Sequence, residues 1–164
     1  MSERLSLTLF AHVASRPDAE LDLVQAALLV GEIEGATLDL APSMQAVEEL
    51  GRAARVAAAG ATSEEARLER ILRSVYEGAG FRGNEQDYYD PRNSLLPDVL
   101  ERKLGIPITL ALVYCEVGRR VGVRARGVSF PGHFLVRVDA PDRDDAPVAV
   151  DPFFGGRRLD DGAL

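Results

Sequence analysis

An α+β fold is the class this sequence predicts, on three observations. The run from Ile108 to Tyr114, continued by Cys115, Val117 and Val121, is too long for an ordinary strand and leaves only a narrow polar strip at Glu116, Arg119 and Arg120. A helix apolar nearly all round is a central one. Two segments of alternating polarity, VRARGVSF and HFLVRV, come next, and VAVDPF closes a small antiparallel meander after a turn centred near Asp142. Helical patterns fill the chain before this point, so helices precede strands.

The first stretch, roughly residues 2–15, sets Leu5, Leu9, Phe10 and Val13 at helical spacing, with His12 among them as a surface or boundary residue. Pro17 and Asp18 open a second helix through ELDLVQAALLVGEIE, in which Leu21, Val24 and Leu28 share a face and the acidic first turn suits the helix dipole. Pro42 starts a third helix, ended by Gly60, and Ser63 starts a fourth, ended by Gly78 and Gly80. In the fourth, Leu68, Ile71, Leu72 and Val75 form the buried stripe, and its charged residues, Arg67 and Arg70 among them, form the solvated face. A short helix begins near Ser94, its cap, with Pro97 in the first turn. No repeat or linker divides the chain, which predicts one domain over 1–164, with a helical part over 1–80 and a mixed core over 81–164.

Composition removes several classes of function. Nineteen basic residues against 26 acidic give a net charge of −7, and no basic cluster offers nucleic acid an electrostatic footing. The one cysteine cannot form an internal disulfide, and MSERLSLTLF lacks the basic region and continuous apolar stretch of a secretory leader, which predicts a cytoplasmic location. No segment reaches the roughly 18 to 20 uninterrupted apolar residues of a membrane span. A single histidine near the strands and a single cysteine in an apolar helix do not make a zinc ligand set, so neither a metal nor a cofactor is predicted.

His133, entering a strand in PGHFLV, and Asp151, leaving one in VDPFF, are the residues with the clearest chemistry. If the two strands pair across the turn near Asp142, the register that sets His133 opposite Asp151 also sets Leu135 opposite Ala149. Cross-strand neighbours on one face lie about 5 Å apart at Cβ, close enough for a carboxylate to fix the imidazole tautomer. The pair is either two members of a nucleophilic triad or a hydrogen bond that fixes strand register. A third member would sit at the N-terminus of the central helix, where the dipole favours a thiolate.

The motifs FRGNEQDYYDPRNSLLPDVLERKLGIPITLALVYCEVGRRVG, FPGHFLVR and DPFFGGRRL, in that order, resemble the transglutaminase-like superfamily, and in particular its bacterial SirB-type branch. The resemblance runs strongly from about Phe81 to Leu159 and loosely before it. It implies a papain-like core built on one central helix and a small antiparallel sheet, with His133 and Asp151 at the family's His and Asp positions. It also implies that many relatives continue into a helical tetratricopeptide-type extension, so a chain ending at Leu164 is either minimal or trimmed. The position of the family's nucleophilic Cys, counted back from Gly122, falls on Pro107 in GIPIT, and proline cannot attack.

Two other residues then stand for the nucleophile. Cys115 lies about 12 Å further along the helix, within the apolar run, and reads as a buried small hydrophobe. Thr109 is the hydroxyl nearest the helix start, either a structural hydroxyl or a poor nucleophile. Ahead of the helix, DYYDPRNS places Tyr88, Tyr89, Asp90, Arg92 and Asn93 where they either line the same cleft, with Asn93 orienting His133, or form an ordered connector. Together these readings predict a non-catalytic module that binds a protein or peptide. The alternative is a hydrolase or acyltransferase acting on peptide or amide bonds through Thr109 or Cys115 with His133 and Asp151.

Overall fold

The computed structural model of the protein describes residues 3–34, 40–130, 133–139 and 148–159. Helices α1 (Glu3–Ala14), α2 (Leu23–Ile33), α3 (Leu40–Ala58) and α4 (Glu64–Arg73) come first, and α4 runs on into a wider π-type turn over Ser74–Gly78. A two-residue strand β1 (Arg82–Gly83), a 3-10 turn over Pro91–Asn93, helix α5 (Leu96–Arg102) and a second short strand β2 (Leu104–Gly105) lead into α6 (Pro107–Arg120). The strands β3 (Arg124–Phe130), β4 (His133–Asp139), β5 (Val148–Asp151) and β6 (Arg157–Leu159) follow as one antiparallel meander in chain order. The architecture is α+β, and the four-stranded sheet follows the helices as the sequence predicts; the short strands β1 and β2, which pair in parallel ahead of α6, are not foreseen by it. The turn expected near Asp142 lies outside the described residues.

Local chemistry sets most of the helix boundaries. Asp22 accepts from Gln25 N at 2.9 Å, so α2 starts after it, and the acidic residues ahead belong to a separate 3-10 turn over Asp18–Glu20. Ser63 caps α4 by accepting from Ala66 N at 3.1 Å, as expected. Ser94 does not cap α5. Its amide closes the preceding 3-10 turn on the Pro91 carbonyl, and the helix begins at Leu96 with Pro97 in its first turn. In α1 the buried positions are Ser6 and Val13, while Leu5 is 45% exposed and Leu9 also faces outward. This helix packs mainly on α2, so only a narrow seam of it is covered.

The central helix α6 lies between two layers. On one side its apolar residues meet Val136, Val138 and Val150 on the inner face of the sheet, and on the other they meet Val47, Leu50 and Ala54 of α3 with Ile71 and Leu72 of α4. Leu110 and Val117 are almost entirely removed from water, and full burial of such a side chain contributes about 1.5–3 kcal/mol. The narrow polar strip of this helix is an ion cluster. Glu116 is buried and accepts from Arg119 Nη2 and Arg120 Nε, each at 2.7 Å, and Arg120 also pairs with Glu48 of α3. The arginines of α4 are likewise put to structural use: Arg67 donates to the Val121 carbonyl at the end of α6, and Arg70 to the Ala59 carbonyl just after α3.

Gly51 is what lets α3 approach α6 at this cluster. A Cβ there would stand 2.7 Å from Arg120 Cδ and 3.0 Å from its Cβ, and the ion pairs hold that side chain in place. Gly51→Leu is expected to destabilise the protein by about 1–3 kcal/mol in urea unfolding, the cost of forcing volume into a packed seam. Gly78→Ala, whose Cβ meets nothing within 4 Å, is expected to leave the midpoint unchanged or slightly raised. Equal midpoints for wild type and Gly51→Leu would show that the seam is not tight.

Candidate functional site

His133 and Asp151 lie on the neighbouring antiparallel strands β4 and β5, but not opposite one another. The observed register pairs Val136 with Val150 and Val138 with Val148, which aligns two valine pairs on the buried face. Continued outward, it brings Asp151 beside Leu135, two positions from the expected partner. The two residues keep the same parity as diagonal neighbours, about 7–8 Å apart by strand geometry. No hydrogen bond joins them among the described residues. Asp151 is buried, and its Oδ1 accepts from Phe153 N at 3.0 Å and Phe154 N at 3.3 Å, which turns the chain toward β6. His133 is exposed at the start of its strand, opposite Phe130 of β3.

The N-terminus of α6 begins at Pro107, the place where the sequence expects a nucleophile to be missing. Thr109 is buried in the first turn, and its Oγ1 lies 2.7 Å from the Asn93 carbonyl oxygen and 3.1 Å from that of Ile106. Its one proton is committed to main-chain acceptors. Cys115 is half-buried rather than fully buried, packed at the edge of the core on the middle of α6. Burial, with the Glu116 carboxylate adding to it, pushes its thiol up to about 11. A thiol in that setting is neutral at physiological pH.

The segment DYYDPRNS separates into a buried network and an exposed aromatic row. Asn93 is fully buried, and its amide makes all four hydrogen bonds open to it: Nδ2 donates to the carbonyls of Asp87 and Tyr88, while Oδ1 accepts from Asn84 Nδ2 at 3.0 Å and Arg102 Nη1 at 3.3 Å. Its side chain is therefore spent within the connector, contrary to the expectation that it orients His133. Asp90 is clamped by Arg92 and by Arg102, whose Nη2 lies 3.0 Å from Oδ2. The hydrogen bonds from Arg92 hold its carboxyl at about 2, well below the usual range. Asn84 and Arg102 are the members that sequence reasoning missed. Both lie outside the motif and join it only through the fold.

Tyr88 and Tyr89 face outward, 44% and 89% exposed. Their rings begin a continuous row: Tyr89 to Tyr88 at 5.3 Å between centroids, Tyr88 to Phe153 at 5.8 Å, and Phe153 to Phe154 at 5.2 Å. Phe153 and Phe154 were also missed, although two phenylalanines directly after Asp151 and before two glycines were a usable signal. Gly155 and Gly156 carry φ values of +70° and +68°, and the tight turn they make runs against Tyr76 and Tyr114, where side chains would collide.

Two measurements check this description. Asp90 has its folded value depressed from 3.8 to about 2, so its clamp stabilises the protein above 3.8 and that contribution fades as pH falls toward 2. Asp90→Asn is expected to be less stable than wild type at neutral pH, with the gap closing over that acidic window; a gap independent of pH would contradict the clamp. For Cys115, a shift from 9.0 to about 11 lowers the thiolate fraction about 100-fold. The more basic thiolate is also the better nucleophile, which returns part of that loss, so alkylation of the folded protein at neutral pH is expected to be about tenfold or more slower than that of free cysteine. Labelling at the free-cysteine rate would show a reactive thiol.

With this geometry in hand, comparisons place the chain among known proteins. The profile of the transglutaminase-like superfamily matches residues 42–164, which takes in α3 and α4 as well as the core expected from about Phe81 onward. A UPF0162 protein of Xylella fastidiosa is 40% identical over 160 residues, covering 98% of this chain and 56% of that protein. A UPF0162 protein of Vibrio cholerae is 30% identical over 135 residues, 82% of this chain and 49% of its own length. The mouse F-box only protein 21 is 43% identical over 70 residues, 43% of this chain and 11% of that protein. The chain thus spans about half the length of the bacterial relatives. No solved structure matches it significantly. A central helix under a four-stranded meander, His133 and Asp151 on adjacent strands, and a profile match over most of the length together make this chain a member of the transglutaminase-like superfamily.

Proposed function

We propose that the protein is a non-catalytic binding module that holds a peptide or protein partner on the aromatic row Tyr89, Tyr88, Phe153 and Phe154. The observation that carries this reading is the exposure of the row, with Tyr89 89% open to solvent although its ring packs edge-on to Tyr88. Aromatic side chains with polar tips supply large contact area with few rotors to immobilise, which suits them to recognition surfaces. Asp90 and Asn93 support the surface from below, and exposed Arg92 rims it. The missing nucleophile argues the same way. Pro107 holds the helix start, the Thr109 hydroxyl is spent, and Cys115 is a neutral thiol elsewhere on the helix. Removing one member of a triad that acts as a unit costs on the order of 10⁴ to 10⁶ in rate.

The proposal takes the chain as one folding unit, supported by a core that runs from α2, α3 and α4 through α6 to the sheet. Among the described residues no helix is long and apolar enough to cross a membrane.

The experiment selects peptides from a random display library on the wild-type protein and measures their affinity by fluorescence anisotropy. A variant carrying Tyr88→Ala and Tyr89→Ala is expected to lose tenfold or more in affinity, of the order of one strong contact residue. His133→Ala is expected to bind as wild type does. Asn93 is left intact, since truncating a fully buried and fully bonded amide would test folding instead. Amide hydrolysis and glutamine–lysine cross-linking are assayed in parallel. Turnover by the wild type that His133→Ala abolishes, with unchanged peptide binding by the tyrosine variant, would replace the binding module with an enzyme.

A further inference from the structure

The outer face of the sheet, turned away from α6, carries a second site independent of the aromatic row. Register sets Arg126 of β3 directly opposite Arg137 of β4, and the next pair on that face is Val128 opposite Leu135. These four residues, with Phe130 and Ala149, line a groove of about 560 Å³. Its volume is within the range of small-molecule sites, roughly 300–1,000 Å³.

Like charges placed opposite one another destabilise a strand pair, and here little offsets them. Arg126 makes no ion pair or side-chain hydrogen bond among the described residues. Arg137 Nε is shielded from solvent and makes no hydrogen bond; its nearest carboxylate oxygen, Asp139 Oδ1, is 3.4 Å away, near enough for attraction but not aligned as an acceptor. Two arginines side by side on a chain of net charge −7 form a local reversal of sign, and the planar guanidinium fork matches the geometry of a carboxylate. The floor of the groove consists of strands already paired, β3 to β4 and β4 to β5. Away from the outer side of β3, which carries free main-chain groups, the floor has few donors or acceptors to offer, and a peptide lying across it would leave most of its own backbone groups unmet. A ligand with one polar end and an otherwise apolar body avoids that cost.

We propose that this groove binds an amphipathic carboxylate, with the head between Arg126 and Arg137 and an aliphatic tail along Val128, Leu135, Phe130 and Ala149. The test is calorimetric titration of the full chain with decanoate below its micelle concentration, compared with decyltrimethylammonium and with an extended acidic peptide. Decanoate is expected to saturate one site, with the cationic analogue at least tenfold weaker. A variant carrying Arg126→Gln and Arg137→Gln is expected to weaken decanoate at least tenfold while keeping the wild-type unfolding midpoint or exceeding it, because the like-charge pair is gone. Val128→Ser, which keeps the head site, is expected to weaken binding through the tail alone. If the arginine variant proves unstable, Val128→Ser and the charge series still decide the matter. Equal affinity for both head-group charges, full binding by the arginine variant, or tighter binding of the acidic peptide than of decanoate each overturn the proposal.

Discussion

One buried amide, Asn93, holds together everything that surrounds the start of the central helix. Its side chain bonds the loop at Asp87 and Tyr88, the residue after β1 and the end of α5, while its main-chain carbonyl accepts from Thr109 Oγ1 at 2.7 Å and from Ile106 N at 3.3 Å. A polar group so placed is stable only if every partner is present, because each unmet bond in a dry interior costs about 1–3 kcal/mol. The arrangement is therefore all-or-none. The tyrosines of the aromatic row stand where they do because the backbone beneath them has no second way to satisfy this amide.

The same network sets what the helix start can do. Thr109 is the one hydroxyl in the first turn of α6, and bonding Asn93 is what takes it away from chemistry. Residue type alone says that threonine is a weak nucleophile; the geometry adds that its proton already has a destination. Asp151 is treated similarly, since its carboxylate turns the chain at Phe153 and Phe154 rather than reaching the imidazole. Both residues are spent on shape, and the shape they make presents the aromatic side chains.

Much of the fold was legible because periodicity is a local signal. The length of the apolar run gave α6, alternation gave β3, β4 and β5, and Ser63 marked the start of α4. Register was not legible to the same degree. A shift of two residues preserves the in–out alternation, and only the pairing of Val136 with Val150 across the core selects between the alternatives. Two-residue β1 and β2, and three-residue β6, are too short to carry a period. The arginines misled for another reason. Arg67 and Arg70 read as surface charge in one dimension and Arg102 and Arg120 showed no partner there, yet each ends on a carbonyl or carboxylate brought to it by another part of the chain. Long flexible side chains report their destination least of all in sequence.

The seven-residue strand β3 pairs on one side only among the described residues, which leaves a row of main-chain donors and acceptors along its other side. An exposed edge of this length is a template for any passing extended chain, including another copy of the same protein. Arg124 and Arg126 sit on that strand, and a second copy overlapping all of it antiparallel would set Arg126 opposite Val128, which leaves the two Arg126 side chains as diagonal neighbours on one face. Electrostatic repulsion at the rim thus acts as a guard against uncontrolled strand-to-strand assembly. The guard is only as strong as its charges: whatever neutralises Arg126 also relaxes the barrier to aggregation at the edge beside it.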